Sequence, residues 1–225
     1  MKKYNLVALC GLALLSSSAF ASSDPSGFYL LGGLGSTGIE DGGFTDDTAQ
    51  SGNWQNPGTY HDAELEGKGS TQLYSMGYQI NRIVGVEATY MDYGNINANL
   101  QENKQHYSNK LFDPYSLSVS ANLGYTFHNG LRPFAKVGLS YINLGQKDLI
   151  DGPIKDSDQI GGLHLGVGVE YALDLGENHG NLLFRTGLEG DVFTAEIQDA
   201  NSSYAVDDDY AWSIATLYAG VGYRF

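Results

Sequence analysis

The sequence predicts an all-β chain: a transmembrane, antiparallel, up-and-down β-barrel of eight strands that follows a cleaved signal peptide. Three observations predict it. Segment after segment alternates with a period of two, the signature of strands. The alternation has an unusual polarity, clearest where Tyr115, Leu117, Val119, Ala121, Leu123, Tyr125 and Phe127 oppose Ser116, Ser118, Ser120, Asn122, Gly124 and Thr126. A serine face is buried at a cost unless it meets water or a polar network, so the apolar face is the one to turn outward, toward lipid. Finally, long polar connections alternate with short turns, as in barrels whose two rims face different compartments.

The opening residues 1–21, MKKYNLVALCGLALLSSSAFA, combine two lysines, an apolar run from Leu6 to Leu15 and a small-x-small site at Ala19-Phe20-Ala21. This reads as a secretory signal peptide cut before Ser22. Cys10, the single cysteine, falls inside it, and Leu9 stands where a lipidation site needs a small residue. A formal charge of −14 excludes nucleic acid as a natural partner. Nothing after Ala21 is apolar for the roughly 18 residues a membrane helix requires. Any membrane-spanning form of residues 22–225 must therefore be a closed barrel.

The first strand is GFYLLGGLGS, with Phe28, Leu30, Gly32 and Leu34 on one face; a long acidic loop, about 37–67, follows. The second strand places Tyr74, Met76, Tyr78 and Ile80 against Ser75, Gly77 and Gln79. After a turn at Asn81-Arg82, the third places Val84, Val86, Ala88 and Tyr90 against Gly85, Glu87 and Thr89. A second loop, about 95–113, leads to the serine-faced strand. The turn His128-Asn129-Gly130 then reverses the chain into a strand with Ala135, Val137, Leu139 and Tyr141 outward and Lys136, Gly138 and Ser140 inward. After a third loop, about 146–158, Leu163, Leu165, Val167, Val169, Tyr171 and Leu173 oppose His164, Gly166, Gly168 and Glu170. Leu182, Phe184, Leu188 and Val192 then oppose Arg185, Glu189 and Asp191. A fourth loop, about 198–209, precedes the last strand, whose Leu217, Ala219, Val221, Tyr223 and Phe225 oppose Thr216, Tyr218, Gly220, Gly222 and Arg224.

Alternating loop length predicts four long loops outside the cell and both mature termini in the periplasm. Two aromatic girdles follow. Tyr78, Tyr125, Phe127, Tyr171, Phe184, Tyr223 and Phe225 are expected at the periplasmic rim, and Tyr90, Tyr115, Tyr141 and Phe193 at the outer one.

The signal peptide, GYQINRIVGVEATY, RPFAKVGLSY, GVGVEYAL and the closing LYAGVGYRF resemble the OmpA/OmpX-like group of small outer-membrane barrels, with its opacity-type and Ail-type surface proteins. The resemblance covers nearly all of the mature chain. It implies residence in the outer membrane of a Gram-negative bacterium, in contact with lipid and lipopolysaccharide, as a monomer without a cofactor. It further implies that Gly220, Val221, Tyr223 and Phe225 form a signal for the barrel-assembly machinery. Exposed loops would carry adhesion, host interaction or membrane integrity.

The lumen face collects Glu87, Lys136, His164, Glu170, Arg185, Glu189, Asp191 and Arg224. An eight-stranded barrel is just wide enough for its own side chains, so these charges are expected to pair. The alternative is a narrow channel for ions or small solutes, for which a nearly neutral lumen is a poor filter. The acidic loops lack the spaced Asp/Asn-Gly pattern of a calcium loop, and no metal ligand is assigned. His106-Tyr107-Ser108 resembles the pairing in lipid A deacylases but falls in an expected loop, and His61-Asp62 is weaker. No catalytic residue is assigned; a lipid A-modifying hydrolase is the second alternative.

Overall fold

The computed structural model describes residues 26–42, 60–102, 105–145, 159–176, 179–198 and 207–225. The signal peptide, the third long loop and the centre of the fourth lie outside the described residues. Eleven strands run in chain order: β1 (Gly27–Glu40), β2 (Tyr60–Lys68), β3 (Thr71–Gln79), β4 (Val84–Asp92), β5 (Asn95–Glu102) and β6 (Gln105–Phe112), then β7 (Tyr115–Gly124), β8 (Leu131–Asn143), β9 (Gln159–Asp174), β10 (Asn181–Gln198) and β11 (Asp207–Arg224). Eight of them close a barrel in the order β1-β11-β10-β9-β8-β7-β4-β3. Every barrel pair is antiparallel, and the last strand closes on the first, with the Phe225 amide donating to Phe28 O at 2.9 Å.

The register fixes the barrel's width. Starting at Gly27 and stepping through paired residues, the path runs Gln79, Gly85, Asn122, Lys136, Gly166, Glu189 and Thr216, and returns to β1 at Thr37. The displacement is ten residues. Eight strands with that stagger tilt by about 40° and enclose a cylinder of about 8 Å radius, measured to the backbone. Side chains alone fill such a space.

Local sequence sets the short reversals. Asn81 Oδ1 accepts the amides of Ile83 and Val84 at 2.8 and 2.9 Å, fixing the β3–β4 turn. Asn129 Oδ1 accepts the Leu131 amide at 3.2 Å in the β7–β8 turn, and Asp174 Oδ1 accepts that of Gly176 at 2.9 Å after β9.

Three expected loops are partly strand: β11 already begins at Asp207, inside the fourth, and the first and second contribute a separate sheet. The segments 60–68, 95–102 and 105–112 form a three-stranded sheet in the order β2-β5-β6, joined by non-local pairing of Leu65 with Ala98 and Glu66 with Asn97. The barrel strands are also uneven. β3, β4 and β7 span 9, 9 and 10 residues, whereas β10 and β11 each span 18. About 9 to 11 tilted residues cross a bilayer, so β10 and β11 stand well beyond it. The small sheet rises where the barrel strands are short.

The inside-out polarity is plain on β7, where Val119 is 59% exposed and Ser118 and Asn122 are buried. Among the girdle residues, Tyr78, Tyr125, Phe127, Phe184 and Phe225 face outward at the short-turn rim, and Tyr90 and Tyr141 at the other. Phe193 corrects the expectation. It shares parity with Asp191, faces inward and is buried. Among the described residues, no helix is long and apolar enough to cross a membrane.

Placing a charge on the outward face tests this polarity. Val119→Arg is expected to lower stability in lipid vesicles by about 2 to 4 kcal/mol, the cost of a cation near the bilayer midplane. Ser118→Ala, one residue away on the inner face, is expected to change little. Urea unfolding followed by gel mobility of unboiled samples reads both.

Candidate functional site

The interior is the most elaborate feature of the molecule, and its centre is Glu87 on β4. Lys136 Nζ, from β8, donates to Glu87 Oε1 at 2.5 Å and to Glu189 Oε1, on β10, at 2.6 Å. Arg185 Nη1 reaches Glu87 Oε2 at 2.8 Å. Its Nε and Nη2 both donate to Glu170 Oε2, at 2.9 and 2.6 Å. Tyr29 Oη also donates to Glu87, and Tyr218 Oη to Glu189. Thr89 Oγ1 lies 3.1 Å from Glu87 Oε1.

A branch runs toward the long-connection end. His164 Nδ1 donates to Asp191 Oδ1 at 2.8 Å, while its Nε2 faces Glu189 Oε2 at 3.6 Å. The other Asp191 oxygen accepts the hydroxyl of Tyr93, which in turn takes a 3.4 Å hydrogen bond from Ser116 Oγ. The Lys136 and Glu87 side chains have no solvent exposure at all. Glu87, Glu170 and Glu189 thus face Lys136 and Arg185, and Asp191 faces His164.

Seven of the eight residues singled out for the lumen meet in this array. Arg224, expected with them, stands apart at the short-turn rim, where its Nη2 donates to Asn181 Oδ1 at 3.0 Å. Arg132 takes its place inside, donating to Asn122 Oδ1 at 2.8 Å and lying 5.9 Å from the Phe134 ring centre. Arg185 and Lys136 approach the same ring at 5.1 and 5.4 Å. Arg132, Tyr29 and Tyr93 escaped the sequence reading, although parity with Lys136 and Leu31 marks the first two; Tyr218 stands on the inward face expected for it beside Thr216.

Above the charges lies an apolar plug. Leu73, Met91, Ile142, Phe193, Trp212 and Ile214 of the barrel meet Leu65, Ile96 and Phe112 of the small sheet, with Tyr93 and Leu144 between them. Phe112 stands edge-on to Trp212 at 5.9 Å between ring centres. Polar-inward alternation thus gives way to apolar-inward packing at this mouth. Below the charges, Tyr29, Ala172 and Leu183 form a second apolar layer.

The terminal residues keep the expected two faces. Val221 and Phe225 are exposed outward, Tyr223 and Phe225 stack edge-to-face at 4.9 Å, and Gly220 lies inward against β1. His106-Tyr107-Ser108 lies on β6 and His61-Asp62 on β2, so both belong to the outer sheet and not to loops or barrel staves. Among the described residues, no group of three or more His, Cys, Asp or Glu side chains is arranged to hold a metal ion.

Outward apolar faces, a closed eight-stranded wall and an internally paired lumen define a bacterial outer-membrane barrel protein. The chain belongs to the family described as outer membrane protein beta-barrel domain, whose model matches residues 7–225. No curated protein matches it. Among solved structures it is similar to Neisserial surface protein A, at 19% identity over 89% of this chain and 98% of that one, with a TM-score of 0.50. It is similar to the outer membrane protein AlkL at 15% identity, over 93% and 95%, with a TM-score of 0.51. OprG from Pseudomonas aeruginosa shares 14% identity, over 89% and 96%, with a TM-score of 0.49. Such identities speak for the fold alone.

Two substitutions probe the interior. Lys136→Met leaves Glu87 and Glu189 facing one another in a dry space, and is expected to cost about 3 to 5 kcal/mol; adding Glu189→Gln should recover part of it. The urea midpoint in vesicles reads the difference. Gly77→Ala would set a Cβ 2.4 Å from Tyr29 Cζ, so the ring that reaches Glu87 must move. Overpacking of this kind costs about 1 to 3 kcal/mol, and Tyr29→Ala in the same chain should relieve only the ring's part of the clash, since the 2.8 Å approach to Val86 O remains.

Proposed function

We propose that this protein is a non-enzymatic outer-membrane surface protein that acts through its acidic outer end, in adhesion, host interaction or membrane integrity, while its lumen serves as a brace and not a passage. The observation that carries the reading is the filling of the lumen in successive layers: plug, charge array and lower apolar layer. An eight-stranded barrel is just wide enough for its own side chains, which supports a lumen occupied by these layers.

In this reading the long connections face outside and both mature termini face the periplasm. The β10–β11 ribbon then carries Glu196 and Asp207, Asp208 and Asp209 outward on paired backbone positions. An acidic surface repels the phosphates of lipopolysaccharide, so contact with it runs through bridging cations or the few outer lysines. Val221, Tyr223 and Phe225 present a two-residue spacing and an aromatic end, with Gly220 just before them, suited to recognition by the assembly machinery. The protein works as a monomer, without a cofactor and without nucleic acid.

Reconstitution into a planar bilayer tests the closed lumen. Silence is expected; discrete conductance steps that change in Glu170→Gln or Arg185→Gln would instead establish the narrow channel. Cells displaying the protein should lose surface attachment when residues 199–206 or 44–58 are deleted, with the barrel still heat-modifiable on gels. Attachment unchanged by either deletion would remove the outer end from the function. Altered lipid A mass spectra on overexpression would favour the hydrolase.

A further inference from the structure

We infer that Tyr93, Asp191 and His164 form a latch that ties the outer β2-β5-β6 sheet to the charge array in the lumen, so that the closure of the barrel mouth depends on the charges beneath it. The inference rests on geometry inside the barrel and stands whatever the outer end binds.

Tyr93 occupies the joint between stave and sheet. It follows the last residue of β4 and precedes β5 by a single residue, Gly94, whose φ of +73° lets the chain turn sharply out of the barrel. Its amide donates to Pro114 O at 3.0 Å, which ties it to the return strand at the foot of the sheet. Its ring belongs to the plug, among Ile96 and Phe112 of the sheet. Its hydroxyl crosses the lumen to Asp191 on β10, four staves around the barrel from β4.

From Asp191 the contacts step on toward the hub. Asp191 takes His164 Nδ1 at 2.8 Å, His164 Nε2 stands 3.6 Å from Glu189 Oε2, beyond hydrogen-bond reach, and Glu189 holds Lys136 at 2.6 Å. The sheet's foot is thus joined by hydrogen bonds to Asp191 and His164, which stand against the hub that braces opposite walls. Apolar contacts from Leu65, Ile96 and Phe112 hold the sheet over the mouth, but they are non-directional and leave its seat to be fixed by the polar link. A hydrogen bond to a buried carboxylate is directional and stronger than a neutral one.

Hydrogen exchange on the full chain in lipid nanodiscs tests the latch, with unboiled gel mobility confirming the barrel in each variant. Tyr93→Phe keeps the ring and removes the hydroxyl; Asp191→Asn keeps the shape and removes the charge. Each should raise exchange of β5 and β6 amides by about tenfold, while those of β7 and β8 stay within about twofold. His164→Gln should raise β5 and β6 exchange less, and adding it to Tyr93→Phe should add nothing further, since both act through one link. Asn181→Ala, which removes the acceptor of Arg224 at the opposite rim, should leave β5 and β6 unchanged. The latch is overturned by unchanged β5 and β6 exchange, by equal loosening of all staves, or by an Asn181→Ala effect as large as that of Tyr93→Phe. A Tyr93→Phe chain that no longer forms a barrel also counts against it, because the link is assigned to the sheet and not to the staves.

Discussion

Lys136 is the point on which the interior depends. Its ammonium lies between Glu87 and Glu189, at 2.5 and 2.6 Å, with no solvent exposure on either side of the contact. β8 stands two staves from β4 in one direction and two from β10 in the other, so one side chain spans the distance between opposite walls. Arg185 makes the same crossing directly, from β10 to Glu87. Burying these charges is expensive, and only complete pairing offsets the lost hydration. The ten-residue stagger brings the walls close enough for that pairing, so barrel width and charge array are one constraint.

Much of this was legible in the sequence because a strand exposes its parity. Glu87, Lys136, Glu170, Arg185, Glu189 and Asp191 all fall opposite apolar runs, and the barrel turns such residues inward together. Parity also marked Phe193 as internal, through Asp191 two residues earlier. The preference of aromatics for a membrane interface pointed the other way, and packing against Trp212 decided the outcome. Tyr29 was ambiguous for a related reason: a tyrosine suits a girdle as well as it suits a lumen carboxylate within reach of its hydroxyl.

The outer sheet was not legible, and the cause is physical. Residues 60–68 and 95–112 are polar and lack a sustained apolar alternation, so nothing local distinguishes them from loop. Their order comes from pairing between segments about 35 residues apart in the chain, Leu65 with Ala98 for example, and from three apolar anchors that reach the plug. Arg224 shows the converse limit. Parity placed it inward, but its height on β11 sets it level with Asn181 and Tyr29 at the rim, where the ladder had to be known before its neighbours could be.

The plug and the charge array depend on each other. Apolar side chains above Lys136 exclude water from the pairs beneath, which strengthens their attraction and raises the penalty for any group left unmatched. The array in turn gives the plug a floor, since Tyr93 and Tyr218 present rings to the apolar layer and hydroxyls to Asp191 and Glu189. Two tyrosines at the boundary satisfy both sides at once. A lumen with only charges would draw in water between short staves β3, β4 and β7. One with only apolar side chains would have nothing directional to fix the sheet's seat. The layered interior meets both demands within a wall too narrow for either to be met by solvent.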